Sequence, residues 1–445
     1  MTLIQLFQFI LSISILVILH ELGHFIPAKY FKTKVEKFYL FFDPWFSIAK
    51  KKIGGTEYGI GWLPFGGYVK IAGLVDESMD TEQLRKPAEP WEFRSKPAWQ
   101  RLIIMMGGVT VNFFLAWFIY SSLSYFKGET FHDNAKFKGG VAVSEAGKQM
   151  GLQTGDTILK IDGKPAERME TSTVNMLFAH NVTVLRNGKE VTFPINEHGV
   201  AAVLAENQAK AYFAPRYPVV IDSLFANGTA KAAGLLKGDK IVGINGKPIA
   251  FFDELGVELP KYKNKDVVIN IERNNAPQEI NAKVDAQGKL GFSTDLSVAQ
   301  AAFDQSKVTK EYTLLEAIPR GLVRTVDVLT MQIKQFKIVF NSTTQGYKKV
   351  SGPIGIIKQM PETINWEFFW SFTAMFSVWL AFLNLIPIPG LDGGHVVFTL
   401  WEMITGKPVP QKVLENAQMI GVIFLLGLMV LIFGNDIVKW ITGRF

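Results

Sequence analysis

Four apolar runs constrain this chain more than any other feature of its sequence. They cover roughly Leu3–Ile26, Leu102–Phe126, Phe368–Leu391 and Ala417–Phe433. Each approaches or exceeds the ~20 residues that a helix needs to cross a bilayer. An ordinary polar stretch separates the second from the third, so the 48% hydrophobic content averages two unlike compositions. The expected fold class is a polytopic α-helical membrane protein with about four transmembrane helices and a polar domain region between them. Pro387, Pro389 and Gly390 interrupt the third run, so its helix must bend or break there.

Charge and composition narrow the function. There is no cysteine, which excludes disulfides, cysteine-ligated zinc and a thiol nucleophile. The net charge of +7 does not call for nucleic acid, because Lys29, Lys32, Lys34, Lys37 and Lys50 to Lys52 crowd beside the first run. The positive-inside rule places this loop, residues 27–101, in the cytoplasm. Residues 127–365 and both termini then fall outside. The first run reads as a retained helix: it is long for a signal peptide, lacks a basic leader and a cleavage site, and leads straight into His20-Glu21.

The outer stretch contains a repeat. Gly151-Leu152-Gln153-Thr154-Gly155-Asp156-Thr157-Ile158 recurs 83 residues later as Gly234-Leu235-Leu236-Lys237-Gly238-Asp239-Lys240-Ile241. Ile161-Asp162-Gly163-Lys164-Pro165 recurs at the same offset as Ile244-Asn245-Gly246-Lys247-Pro248. Each copy reads as a helix ending at glycine, a Gly-Asp turn, a strand and a tight hairpin. The pattern resembles PDZ domains. Residues 35–71 alternate glycine with apolar and aromatic residues, which predicts a membrane-associated β-hairpin. Tyr312–Phe340 has apolar residues at helical spacing between basic ones, an amphipathic helix with a kink expected at Pro319. Five regions follow: an N-terminal membrane region over residues 1–126, PDZ-like domains over 127–215 and 216–305, the amphipathic helix and connector over 306–365, and a C-terminal membrane region over 366–445.

His20-Glu21-Leu22-Gly23-His24 is the segment that carries chemistry. Histidines at i and i+4 share a helix face and can reach one zinc ion, with Glu21 beside them as general base. Two histidines and a glutamate at the edge of an apolar span are costly unless they serve a function. At ~1.5 Å per residue, His20 lies ~25 Å from Leu3, near the cytoplasmic edge of the hydrocarbon. A third ligand must reach that depth. His132, His180 and His198 fall in the outer region. The candidates at that depth are Asp392 and His395, in the broken segment Asn384–His395.

His-Glu-x-x-His in the first span and Asn384-x-x-Pro387-x-Pro389-x-Leu391-Asp392-Gly393-Gly394-His395 in the third resemble the site-2 protease family of intramembrane zinc metalloproteases. Two PDZ-like domains between the second and third spans are similar to bacterial members, and the likeness covers essentially the whole chain. Phe65-Gly66-Gly67-Tyr68-Val69-Lys70 matches the family's hairpin motif, and Asn112 its second-span motif. The resemblance implies zinc on His20, His24 and Asp392, catalysis by Glu21, and substrate binding by Asn384, Gly67 and Tyr68. Asn112 and His395 are expected to support the site by hydrogen bonds to the ligands. It also implies a bacterial inner-membrane enzyme with its PDZ-like domains in the periplasm. Its substrate would be a single-span membrane protein such as a pre-trimmed anti-sigma factor, and the PDZ-like domains could take peptide C-termini. Two rivals are a transporter and a membrane-tethered PDZ scaffold with a vestigial metal site.

Overall fold

A computed structural model describes residues 2–74, 87–205, 211–341 and 352–441. Two compact units divide the chain. One holds Met1–Gly128, Glu311–Lys334 and Val350–Phe445; the other holds Glu129–Lys310 and Gln335–Lys349. Residues 342–351, which fall in the connector expected within 306–365, lie outside the described residues.

The first unit is built on helices α1 (Leu3–Tyr30), α2 (Ala98–Lys127), α3 (Leu314–Val339, of which Leu314–Lys334 belongs here), α4 (Pro353–Lys358), α5 (Trp366–Leu385), α6 (Asp392–Thr405) and α7 (Gln411–Ile441). Among the described residues, four are long and apolar enough to cross a membrane: α1, α2, α5 and Gln411–Lys439 of α7. Their interior contacts are polar in places. Ser12 and Thr373 share a hydroxyl hydrogen bond of 2.9 Å, and Ser377 donates to the Asn112 carbonyl at 2.7 Å. Such bonds fasten helices whose apolar surfaces gain little from leaving lipid. The amphipathic α3 keeps Pro319 inside the helix and lies against α2, where the Trp117 indole donates to the Ile318 carbonyl at 2.8 Å.

The third run differs from its expected extent. Helix α5 stops at Leu385 instead of Leu391, because Pro387 cannot donate an i→i−4 hydrogen bond and disfavours helix in the residue before it. Residues 386–391 form a turn, and α6, a helix beyond the expected third run, starts at Asp392.

Strands β1 (Val35–Ile53) and β2 (Thr56–Ile71) occupy the span expected for the hairpin and pair antiparallel. The register is more elaborate than a hairpin. Lys37 to Leu40 lie beside Lys70 to Gly67 on one side and beside Glu57 to Ile60 on the other. Ser47 to Ile53 then follow the far side of Gly61 to Thr56. Both strands therefore bend and fold back, giving a four-segment sheet with Gly67–Ile71 and Ser47–Ile53 at its edges. Phe41 and Trp45 take left-handed backbone angles at one bend, and Gly66 has φ +142° at the other. Gly61 lies so close to the Phe42 carbonyl that a side chain there would not fit, which is why the alternating pattern needs glycine.

The second unit contains two similar arrangements. Thr157–Ile161 pairs with Lys164–Pro165 and Asn181–Arg186, which pairs with Lys189–Pro194. Lys240–Ile244 pairs with Lys247–Pro248 and Asp266–Arg273, which pairs with Ala276–Lys283. The Gly-Asp turns match as well. Gly155 N–H donates to the Val141 carbonyl and Val141 N–H to the Asp156 carbonyl; Gly238, Ile221 and Asp239 repeat both bonds. Each copy has its own buried cluster, one around Met150, Ile158, Val182 and Phe213, the other around Leu235, Ile241, Ile269 and Val284.

Candidate metal centre

Helix α1 passes through Pro27 to Tyr30, so His20 and His24 sit one turn apart on a continuous helix, 7% and 4% exposed. Their Nε2 atoms are 3.3 Å apart. Asp392 Oδ2 lies 3.4 Å from Nε2 of His20 and 3.2 Å from Nε2 of His24. Among the described residues this is the one group of three such side chains whose ligand atoms converge.

Those three distances test whether a zinc ion fits. Ligands about 2.0–2.1 Å from a tetrahedral ion are separated by about 3.3–3.4 Å, which is the triangle observed. The protonation pattern agrees. His24 Nδ1 is 2.8 Å from the Ile104 carbonyl and so carries the proton, leaving Nε2 as a lone pair. His20 Nδ1 is 3.1 Å from the Asn112 amide, whose Oδ1 is buried without a hydrogen bond. Amide oxygen and nitrogen are interchangeable in such an assignment. Exchanging them lets Oδ1 accept the His20 Nδ1 proton, satisfies the orphaned atom, and frees His20 Nε2. Asp392 Oδ2 is likewise buried without a hydrogen bond. Three lone pairs facing one another repel unless a cation lies between them.

Close helix packing creates this geometry. Gly23 and Gly107 let the backbones of α1 and α2 touch, and Gly108 faces both imidazole rings where a Cβ would collide with them. Asp392 arrives from α6 because residues 386–391 turn the chain. Gly390 takes φ +99° there, and its N–H donates to the Gln418 side chain of α7 at 3.1 Å. Gly393 and Gly394 press against the carbonyls of Leu385, Ile386 and Ile388, leaving no room for a side chain. An Arg101–Glu402 ion pair ties the far end of α6 to α2.

The remaining expected residues surround this triangle. A cavity of about 700 Å³ is lined by His20, Glu21, His24, Gly67, Tyr68, Asn384, Asp392 and His395, with Phe42, Asp43 and Met105 among its other walls. Glu21 and Val69 of the sheet line the same cavity, which sets the general-base candidate beside the sheet. Gly67 packs on Val17 of α1, and the Tyr68 hydroxyl donates to Asp43 at 2.9 Å. The Asn384 amide is 3.3 Å from His20 Nε2. Asn112 contacts His20 directly, whereas His395 lines the cavity outside the ligand triangle. His132, His180 and His198 belong to the polar unit. Sequence reasoning missed the Ile104 carbonyl and Gln418. The first is a backbone group, which a sequence cannot mark, and Gln418 sits in a run read only for its hydropathy.

The sequence pattern of peptidase family M50 matches residues 8–428. A putative zinc metalloprotease of Vibrio cholerae is 28% identical, over 97% of this chain and 98% of the relative. The regulator of sigma E protease of Haemophilus influenzae is also 28% identical over 97% of the chain and 98% of its own length. The regulator of sigma-E protease RseP of Escherichia coli is 27% identical with the same coverage.

Proposed function

This chain belongs to peptidase family M50, a multi-pass membrane zinc metalloprotease, and we propose that it hydrolyses peptide bonds within the membrane on the site formed by His20, His24, Asp392 and Glu21. The observation that carries this reading is the ligand triangle itself, with spacings that suit zinc and with Glu21 on the same cavity wall. Zinc, when bound, polarises the scissile carbonyl and makes the attacking water more acidic. Glu21 takes the proton from that water and passes it to the departing amine. Asn112 and the Ile104 carbonyl hold the two imidazoles in the tautomer that presents Nε2.

The substrate must arrive extended, because a transmembrane helix buries its own peptide groups in hydrogen bonds. Among the described residues, the edge segment Gly67–Ile71 pairs with β1 on one side only, and it borders the cavity. An extended substrate adds there as a further strand, and Asn384 holds it from the opposite wall. The Haemophilus and Escherichia relatives are named regulators of sigma E, and in this reading the substrate is a single-span membrane protein such as an anti-sigma factor. In this reading residues 127–215 and 216–305 are PDZ-like domains on the periplasmic side of a bacterial inner membrane. They screen substrates or take peptide C-termini, and have no part in the chemistry.

Cleavage of a single-span reporter in proteoliposomes tests the proposal. Glu21→Gln should lower turnover by about 10²–10⁴-fold, the usual worth of a positioned acid–base group, while zinc content stays unchanged. Near-normal turnover by that variant would rule out the assigned site. A reporter whose span carries helix-breaking residues should be cut faster than a poly-leucine span. Equal rates would remove strand addition from the mechanism.

A further inference from the structure

The four-segment sheet carries two exposed features that proteolysis does not use. At its bends, Trp45 and Phe46 stack on Trp62 at 6.2 and 5.8 Å, and Trp45 is 91% exposed. Along its outer edge, Lys50, Lys51 and Lys52 are exposed, and among the described residues none has a carboxylate partner. One lysine is enough to guard a sheet edge against pairing with another chain. Three in succession, projecting to both faces, exceed that need.

Contacts with α1 fix how deep each feature lies. At one end of the sheet, Lys29 Nζ donates to Thr56 Oγ1 at 2.8 Å and Phe25 meets Tyr58 at 6.1 Å. Lys51 and Lys52 pair across the sheet with Tyr58 and Glu57, so they stand level with the basic end of α1. At the other end, Gly67 rests on Val17. Val17 and Lys29 are separated by about 18 Å along the helix axis, at 1.5 Å per residue. The sheet thus runs alongside the spanning helix. Its lysines are at the level of the headgroups and its aromatic bend lies on the hydrocarbon side of them, the depth profile of a membrane-anchored element.

We propose that Lys50, Lys51 and Lys52 form a headgroup site for anionic phospholipid that holds the aromatic bend of the sheet at depth beside the metal cavity. The occupant is a lipid surface because the positive charge and the apolar stack lie on one element at the two depths where a leaflet offers negative charge and hydrocarbon. Residues Phe42 to Pro44 and Gly66 to Lys70 of the same sheet line the cavity, so lipid charge reaches the cleavage site through the seating of the sheet. The inference depends on the chain spanning a membrane and is independent of whether it cleaves.

The chain has no native cysteine, so Trp45→Cys gives the full-length protein a single label site. The protein is placed in nanodiscs of phosphatidylcholine alone or of equal phosphatidylcholine and phosphatidylglycerol, and reaction with a membrane-impermeant maleimide is timed. Anionic lipid should slow labelling roughly five-fold, the effect of even one lysine near an anionic surface. Lys50→Gln, Lys51→Gln and Lys52→Gln together should abolish that difference. The corresponding arginine triple should keep it, and high salt should erase it. Equal labelling in the two lipids overturns the proposal, as does a difference that survives the glutamine triple or high salt. Should the glutamine triple fail to reconstitute, the arginine triple and the salt series decide. Protection that requires an acidic peptide instead of anionic lipid would make the lysine edge a protein-docking site and would also overturn it.

Discussion

Asp156 and Asp239 in the polar unit and Asp392 in the apolar unit are shielded carboxylates with partners of opposite kind. Arg186 grips Asp156 through Nε and Nη2 at 2.8 and 2.7 Å, and Gln153 N–H adds a third bond at 2.8 Å. Arg273 and Leu236 N–H repeat the arrangement on Asp239 at 2.7, 2.6 and 2.8 Å. Each arginine also donates to the carbonyl of the glycine that ends the preceding helix, Gly151 or Gly234. Charge and hydrogen-bonding capacity are satisfied internally, and the result is a fastened turn. Asp392, 18% exposed through the cavity, instead points Oδ2 at two imidazole nitrogens and has no hydrogen bond on that atom. A buried carboxylate with an arginine fork is complete, whereas one facing two histidine lone pairs needs a cation.

The largest effect that sharpens this contrast is on stability. Asp156→Ala strands Arg186 and should cost about 3 kcal/mol, since removing one partner of a buried pair leaves an uncompensated charge. Thermal unfolding of the full chain checks this, and zinc content should not change. A loss of zinc with Asp156→Ala would break the comparison. Next is Asn112→Ala, which removes the acceptor for His20 Nδ1–H and should weaken zinc binding about 10–100-fold. Competition with a chelating dye measures it. An unchanged affinity would mean that Asn112 does not set the tautomer.

The smallest effect lies in the acid limb of stability. The Glu258 carboxyl is held down at about 2 by hydrogen bonds from Lys247 and Lys261. Asp239 is also lowered: burial pushes it up, but the hydrogen bonds from Arg273 and Leu236 outweigh that push. A group with a lowered folded pKa contributes stability that is fully present above its ordinary value, near 4.5 for Glu258. That contribution is lost as the pH falls through the folded value. The polar unit should therefore weaken between about pH 4.5 and 2, and Glu258→Gln should flatten that limb in unfolding curves recorded across it.

Much of this was legible because it rests on local chemistry. The pattern His20-x-x-x-His24 fixes two ligands on one helix face, Pro387 and Pro389 dictate the break after α5, and the Gly-Asp repeat marks the matching turns at Asp156 and Asp239. The rest depends on long-range packing. The doubling of the 35–71 segment into four strands follows from bends at Phe41, Trp45 and Gly66, of which only Gly66 is a turn residue, and it is one glycine among several in that segment. Helix α6 lies beyond Leu391, the expected end of the third run, and its Asp392-Gly393-Gly394 start reads as a loop. Asp436 of α7 accepts hydrogen bonds from the backbone N–H groups of Gly352, Ile354 and Gly355 at the start of α4, a contact that only the fold could reveal.

Asp392, and not His395, completes the metal triangle. Zinc should be counted by mass spectrometry in the purified full chain and in its Asp392→Asn and His395→Ala variants. One zinc per chain is expected, with a large loss in Asp392→Asn and near-full occupancy in His395→Ala. Zinc retained by Asp392→Asn and lost by His395→Ala would contradict this assignment.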